Sequence, residues 1–167
     1  MQVKRSVQFG VFLLIFLSIS GVSVNGVFAE PADSVSVEVV RVTAQRQHQQ
    51  VRPGSESAIA INFYPDENWH FYASEQTAPG GMNLKVMPSG PNSLEFAETI
   101  FPSSHLYYDK ALGKELEVYS GDFTVYIPFR VADSAAEVST PVTVKVDGAI
   151  CSEQQCRMPS FDTLEFD

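Results

Sequence analysis

Several components of common functional sites are scarce in this chain. Its 167 residues include only two cysteines, one tryptophan and three histidines. The histidines, His48, His70 and His105, have no spacing that links them to each other or to the cysteines as a zinc site requires. A glycine-rich phosphate loop, a Ser-His-Asp order and a usefully spaced carboxylate pair are also missing. Neither a metal nor another cofactor is therefore expected.

Basic residues are scarce as well. The chain has 11 lysines and arginines against 20 aspartates and glutamates, which gives a formal net charge of −9. Nucleic acids and anionic membranes are bound by clustered basic side chains, so neither is expected as a main partner. The acidic residues are dispersed along the sequence, as is typical of a solvated surface.

The one marked apolar run lies at the N-terminus. Residues 1–29 combine a basic start at Lys4 and Arg5, an apolar run over Val11–Leu17 and a small-residue end at Val27-Phe28-Ala29. This pattern predicts a cleaved secretory signal peptide, with an uncleaved membrane anchor as the alternative. Removal of Lys4 and Arg5 would leave 9 basic against 20 acidic residues, a net charge of −11. No later segment is long enough to span a bilayer, so membrane insertion after cleavage is not expected.

Residues 30–167 show apolar alternation at period two and little sign of helix. Ten glycines and ten prolines are spread along the chain, and many of them separate these short runs as turn signals. The pattern predicts a single all-β domain, an immunoglobulin-like antiparallel β-sandwich, with a small β-barrel as the alternative. The predicted strands lie near Val35–Val39, Ile59–Phe63, Trp69–Ala73, Leu84–Met87, Leu94–Phe96, Phe123–Val131, Val142–Val146 and Leu164–Phe166.

The sequence predicts more specific structural features at three residues. Pro128 interrupts the alternation of Phe123–Val131, and because proline cannot donate to a strand ladder it predicts an edge strand or a bulge. Trp69 is expected to fill the core of the sandwich. The neighbouring His70 is expected to point outward or to make a local hydrogen bond.

Cys151 and Cys156 are close enough in sequence to form a disulfide across a six-residue ring. They are expected on a loop or hairpin between the last two strands, at one end of the sandwich. So short a ring stabilises by about 2 kcal/mol in the chain-entropy account, against about 5 kcal/mol for a ring of about 100 residues. Short rings also tend to be easily reduced. A redox role is therefore favoured over a purely structural one.

Five separated segments follow one another in a characteristic order from about Ile61 to the C-terminus. They are Asn68–Tyr72, Phe101-Pro102, Gly113–Tyr119, the alternating strand from Phe123, and Cys151–Pro159. In order and spacing they resemble the N-terminal periplasmic domain family of the thiol:disulfide interchange protein DsbD. The resemblance implies an immunoglobulin-like fold and the transfer of reducing equivalents to oxidised periplasmic proteins by exchange of one disulfide.

The resemblance also implies site residues. Cys151 and Cys156 would be the redox pair of a protein-disulfide reductase, with Cys156 facing the partner and Cys151 as the resolving cysteine. Arg157 would favour the Cys156 thiolate by its charge, although a plain solvent-facing charge is an equal alternative. Relatives commonly have paired prolines after the second cysteine, whereas this chain has only Pro159.

Family members carry a cap loop with an aromatic side chain over the disulfide. In this chain the loop would fall at residues 109–113, where Leu112, or the nearby Tyr107 and Tyr108, would have to provide the cover. Tyr72 and Tyr108 are candidates for lining the site, with core or rim packing as the alternative for both.

The expected partners follow from the same resemblance. The sequence ends at Asp167 without a transmembrane electron conduit or a thioredoxin-like domain. A separate membrane electron donor and thioredoxin-like periplasmic proteins are therefore expected as partners, and the periplasm as the location. The rival hypothesis is a non-catalytic immunoglobulin-like interaction module whose short disulfide only pins a hairpin.

Overall fold

Alternating apolar residues produce β-strands throughout the computed structural model, which describes residues 34–37, 39–136, 141–159 and 164–166. The predicted signal peptide lies outside these residues. Within them, a short 3-10 turn at Pro79–Gly81 is the only helical element. The strands are β1 Ser34–Val37, β2 Val40–Arg46, β3 Glu56–Pro65, β4 His70–Tyr72, β5 Lys85–Ser89, β6 Leu94–Phe96, β7 His105–Asp109, β8 Lys114–Ser120, β9 Phe123–Val131, β10 Val142–Asp147, β11 Ile150–Cys151, β12 Cys156–Arg157 and β13 Leu164–Phe166.

The described strands form three antiparallel sheets. Their strand orders are β1-β2-β3-β9-β6, β13-β10-β5 and β12-β11-β4-β8-β7. Every pairing between neighbouring strands is antiparallel. This arrangement confirms the prediction of an all-β, immunoglobulin-like antiparallel sandwich.

The main core lies between the first sheet and the other two sheets, which contribute residues such as Val144 of β10 and Phe71 of β4. Apolar residues of β3 and β9 are fully buried at alternate positions, which is the packing that period-two patterns predict. Phe63 of β3 stacks on Phe123 with ring centroids 4.8 Å apart, and it meets Phe71 of β4 edge-on at 5.7 Å. Phe71 therefore joins the two sheets.

A second, smaller apolar cluster lies on the opposite face of β4. Phe71 points into the main core, whereas its neighbour Tyr72 belongs to the second cluster. All three residues of β4 are consequently buried. The buried members of this second cluster are Tyr72, Ala78, Leu116, Val118, Ala149 and Cys151, with Met82 and Tyr107 packed against them.

The two expectations for Trp69 and His70 are both wrong in detail. Trp69 is only partly buried and packs at the margin of the main core. His70 is 4% exposed and does not point to solvent. For His70 the physical reason is the second cluster, whose Tyr72 and Tyr107 rings cover the face of β4 that would otherwise be open to water.

Pro128 lies in a strand that is paired on both sides, so the edge-strand prediction is wrong. β9 lies between β3 and β6. The Pro128 carbonyl accepts a hydrogen bond from the Ala97 N–H at 2.9 Å. The N–H and C=O of one residue point to the same side of an antiparallel strand. The N–H that proline lacks would therefore point toward the end of β6, where regular pairing stops at Phe96.

Gly148 brings two chain segments together just before β11. Its φ is +127°, and a Cβ there would lie 2.8 Å from the Asn83 carbonyl oxygen and 2.9 Å from Leu84 Cα. The next residue, Ala149, donates its N–H to the Met82 carbonyl at 3.0 Å. The position thus requires glycine both for its backbone angle and for the close approach.

Gly148→Ala should lower the free energy of unfolding by at least about 1–3 kcal/mol, the range for backbone strain alone. Urea denaturation of the oxidised protein measures the change. Gly80→Ala is the matched control, since Gly80 has φ +58° and open space around it. It should cost only about 1 kcal/mol, and equal losses for the two variants would refute a role for the close approach.

Candidate redox site

The two cysteines form a disulfide within a small hairpin. β11 and β12 pair so that Cys151 lies opposite Cys156, and the two sulfurs are bonded at 2.03 Å. The Ser152 N–H donates to the Gln155 carbonyl at 2.8 Å and closes the turn between them. Among the described strands, β12 is the edge of its sheet.

The two cysteines differ sharply in exposure. Cys151 is 1% exposed and belongs to the second cluster, because β11 lies between β4 and β12. Cys156 lies on the edge strand and is exposed. An incoming thiolate can therefore approach the Cys156 side of the bond more readily than the Cys151 side.

Strand pairing decides which side chains share a face with the disulfide. Cys151 lies opposite His70, which in turn lies opposite Ser120. Tyr72 is two residues beyond His70 on the same strand, so it lies on this face as well. The sequence analysis did not place His70 at the site. Its position two residues before Tyr72 in a predicted strand nevertheless indicates that the two side chains share a face.

His70 is enclosed by aromatic rings. Its ring centroid is 4.5 Å from that of Tyr107 and 5.6 Å from that of Tyr72. Burial lowers the pKa of His70 below its ordinary value; the Asp109 carboxylate opposes this shift and His105 adds to it. The imidazole is therefore held in its neutral form at neutral pH.

Tyr72 contacts the disulfide directly. Its hydroxyl lies 3.9 Å from Cys156 Sγ, and since a disulfide sulfur has no proton the hydroxyl is the donor. Burial, followed by the Asp109 carboxylate and Tyr107, raises the pKa of Tyr72. The hydroxyl thus keeps its proton and remains available as a donor to sulfur.

The predicted cap loop is the turn between β7 and β8. The N–H groups of Leu112 and Gly113 both bond to Asp109, the first to its carboxylate at 2.9 Å and the second to its carbonyl at 2.8 Å. Lys110 Nζ reaches Glu153 Oε1 at 2.7 Å, which joins this turn to the loop within the disulfide ring. Leu112 is 47% exposed.

Of the two adjacent tyrosines on β7, Tyr107 faces the disulfide side of the sheet. It lies opposite Leu116, packs against the cluster that contains Cys151, and is partly buried. Tyr108 alternates to the other face of the strand and is 58% exposed. Arg157 lies opposite Ile150, whose side chain belongs to the main core, so it is also on the face away from Cys156.

A groove of about 800 Å³ lies beside the disulfide hairpin. The turn of the hairpin forms one wall, and the β3–β4 connection forms another. Its lining includes three acidic residues, Asp66, Glu67 and Glu153, together with His70 and Tyr107. The groove therefore lies beside the turn that connects Cys151 to Cys156.

The described residues contain no group of three or more His, Cys, Asp or Glu side chains placed to hold a metal ion. No helix within the described ranges is long and apolar enough to cross a membrane.

Tyr107→Ala should raise the rate at which dithiothreitol reduces the disulfide severalfold, because it removes the ring that packs over the Cys151 cluster. Lys110→Met is the control. Its ion pair with Glu153 is exposed on both sides, so its loss should leave the rate nearly unchanged at physiological salt. A rate that responds to Lys110→Met alone would identify the ion pair, and not the ring, as the cover.

The family model for "Thiol:disulfide interchange protein DsbD, N-terminal" matches residues 37–167. No curated relative matches the chain in sequence.

Solved structures that are similar to the chain include N-terminal domains of two other proteins. The N-terminal periplasmic domain of ScsB from Proteus mirabilis is 14% identical, with a TM-score of 0.59 over 82% of this chain. The chain spans about half of that structure, 51% of its length. The reduced N-terminal domain of DsbD from Neisseria meningitidis is 16% identical, with a TM-score of 0.41 over 69% of this chain and 78% of that one. The ScsB likeness supports the fold.

Proposed function

Because the chain belongs to the family of N-terminal domains of the thiol:disulfide interchange protein DsbD, we propose that it is a periplasmic thiol–disulfide interchange domain. It passes reducing equivalents through the Cys151–Cys156 pair. The donor is a thioredoxin-like protein or a separate membrane protein, and the acceptors are oxidised periplasmic proteins.

One observation carries this proposal: the disulfide joins an exposed residue, Cys156, to a buried one, Cys151, at the edge of a sheet. Thiol–disulfide exchange requires a thiolate that approaches one sulfur in line while the other sulfur leaves. Cys156 is the accessible sulfur, so a partner thiolate attacks it and Cys151 leaves. In the opposite direction, the Cys156 thiolate attacks a partner disulfide and Cys151 resolves the mixed disulfide.

The neighbouring side chains support these steps in different ways. Tyr72 donates toward Cys156 Sγ and would stabilise negative charge that develops there. Leu112 and Tyr108 are exposed on the cap turn and β7, where they would contact an approaching partner and not the bond itself. Arg157 lies on the opposite face from the Cys156 sulfur. It would therefore interact with charged groups of a partner.

The direct test is electron exchange with a purified periplasmic thioredoxin-like protein. The reduced domain should transfer its two electrons to the oxidised partner, and thiol-specific alkylation followed by mass spectrometry should show one new disulfide per domain. Absence of exchange with every such partner, despite chemical reducibility, would instead favour a non-catalytic interaction module.

A further inference from the structure

His70 is a buried, titratable side chain next to the disulfide that the steps above do not use. It lies directly opposite Cys151 in the β4–β11 pairing, on the same face, and such cross-strand neighbours have Cβ atoms about 5 Å apart. Among the described residues, its Nε2 atom has no hydrogen-bond partner. A buried polar atom that is left unpaired is costly, so its retention beside the sulfur requires a reason.

Opening of the disulfide supplies that reason. When a partner thiolate bonds to Cys156 Sγ, the electron pair of the broken bond moves to Cys151 Sγ. Cys151 is 1% exposed and belongs to a cluster of mainly apolar side chains. A thiolate in such surroundings is strongly disfavoured unless a cation or a hydrogen-bond donor lies beside it.

We propose that His70 takes up a proton when the disulfide opens and holds Cys151 as an imidazolium–thiolate pair. This inference rests on the proposed exchange function. His70 acts here as a positioning residue, because it stabilises the leaving sulfur and later keeps it deprotonated for resolution.

The atoms and electrons balance. A partner dithiol brings two electrons and two protons; one S–S bond forms in the partner and the Cys151–Cys156 bond breaks. One proton ends on Cys156 and the other on His70, which exchanges protons with water through the groove that it lines. The reverse reaction returns both protons as the partner is reduced.

The oxidised site has no negative charge at sulfur, so burial keeps the pKa of His70 low in that state. A new thiolate beside the ring would raise it. Other ionisable groups around the His70 ring are present in both oxidation states. The difference in the pKa of His70 between the two states therefore measures the effect of the charge on the Cys151 sulfur. These groups are Tyr72 on β4, His105, Tyr107 and Asp109 on β7, Lys110 in the cap turn, Glu153 in the hairpin, and Asp66 and Glu67 in the β3–β4 connection.

The test is an NMR titration of the histidine rings in the oxidised protein and in the protein kept reduced by a phosphine. The proton affinity of His70 should rise at least about tenfold on reduction, which is a pKa increase of one or more. His48 is the internal control, because it lies near Ser57 of β3, in a different sheet from the disulfide hairpin.

Two single variants locate the effect. Cys156→Ser keeps the Cys151 thiol, so the pKa of His70 should stay as high as in the reduced protein. Cys151→Ser should return it to the value of the oxidised protein. An unchanged pKa on reduction of the unaltered protein, or equal values in the two variants, would overturn the inference.

The titration of His70 and the exchange experiment can succeed or fail independently. Chemical reduction suffices for the titration, so a domain that exchanges normally without a pKa change would refute only the role of His70. A domain that shows the pKa change but never exchanges with a thioredoxin-like protein would refute the proposed function.

Discussion

Cys151→Ser should accumulate as a mixed disulfide with a thioredoxin-like partner, whereas Cys156→Ser should accumulate almost none. Both variants should lose turnover completely, because each lacks one of the two sulfurs that exchange requires. The difference arises from position: Cys156 stays on the exposed edge strand in the first variant. In the second, the remaining sulfur of Cys151 is buried in the second cluster.

Non-reducing electrophoresis after incubation with the oxidised partner measures the trapped species. The double variant Cys151→Ser,Cys156→Ser controls for non-covalent association. Equal trapping by the two single variants would contradict the assignment of Cys156 as the partner-facing cysteine, and preferential trapping by Cys156→Ser would reverse it.

Phe71→Ala should lower the free energy of unfolding by about 3–5 kcal/mol, the usual cost of removing a buried phenylalanine. The ring is fully buried and contacts Phe63 and Phe123 across the main core. Because the free energy of unfolding of a typical domain is only about 5–15 kcal/mol, this single change should remove a large part of it.

Urea denaturation of the oxidised protein measures this loss, with Tyr126→Ala as the control. Tyr126 is 48% exposed on β9, so its truncation should change the free energy by only about 0.5 kcal/mol. Similar losses for the two variants would show that Phe71 does not join the sheets as described. Phe71→Ala should also disturb the redox site, since Phe71 lies between His70 and Tyr72 on β4.

Most strands of the main core were predictable because buried apolar residues alternate with less buried ones. Phe123–Val131 shows this most clearly, and its bounds agree with the observed β9. β2 and β7 were not among the predicted strands. Neither was β8, although Leu116 and Val118 alternate with Glu115 and Glu117. This alternation is visible in the sequence, but the segment was used only as part of the family resemblance.

The surroundings of the disulfide were harder to predict, for a physical reason. β4 has three residues and is buried on both faces, so alternation could not reveal that His70 would be enclosed. The choice between Tyr107 and Tyr108 as the cover depends on the register of β7 against β8. Two adjacent tyrosines give no indication of which one faces the sheet.

The central claim is that the Cys151–Cys156 bond is broken and remade in service. Its most direct test is the equilibrium reduction potential of the pair, measured against glutathione or dithiothreitol buffers. An interchange disulfide with one exposed sulfur should have a potential well above about −300 mV, within the range of thioredoxin-like carriers. A value below about −300 mV, typical of inert structural bonds, would contradict the account.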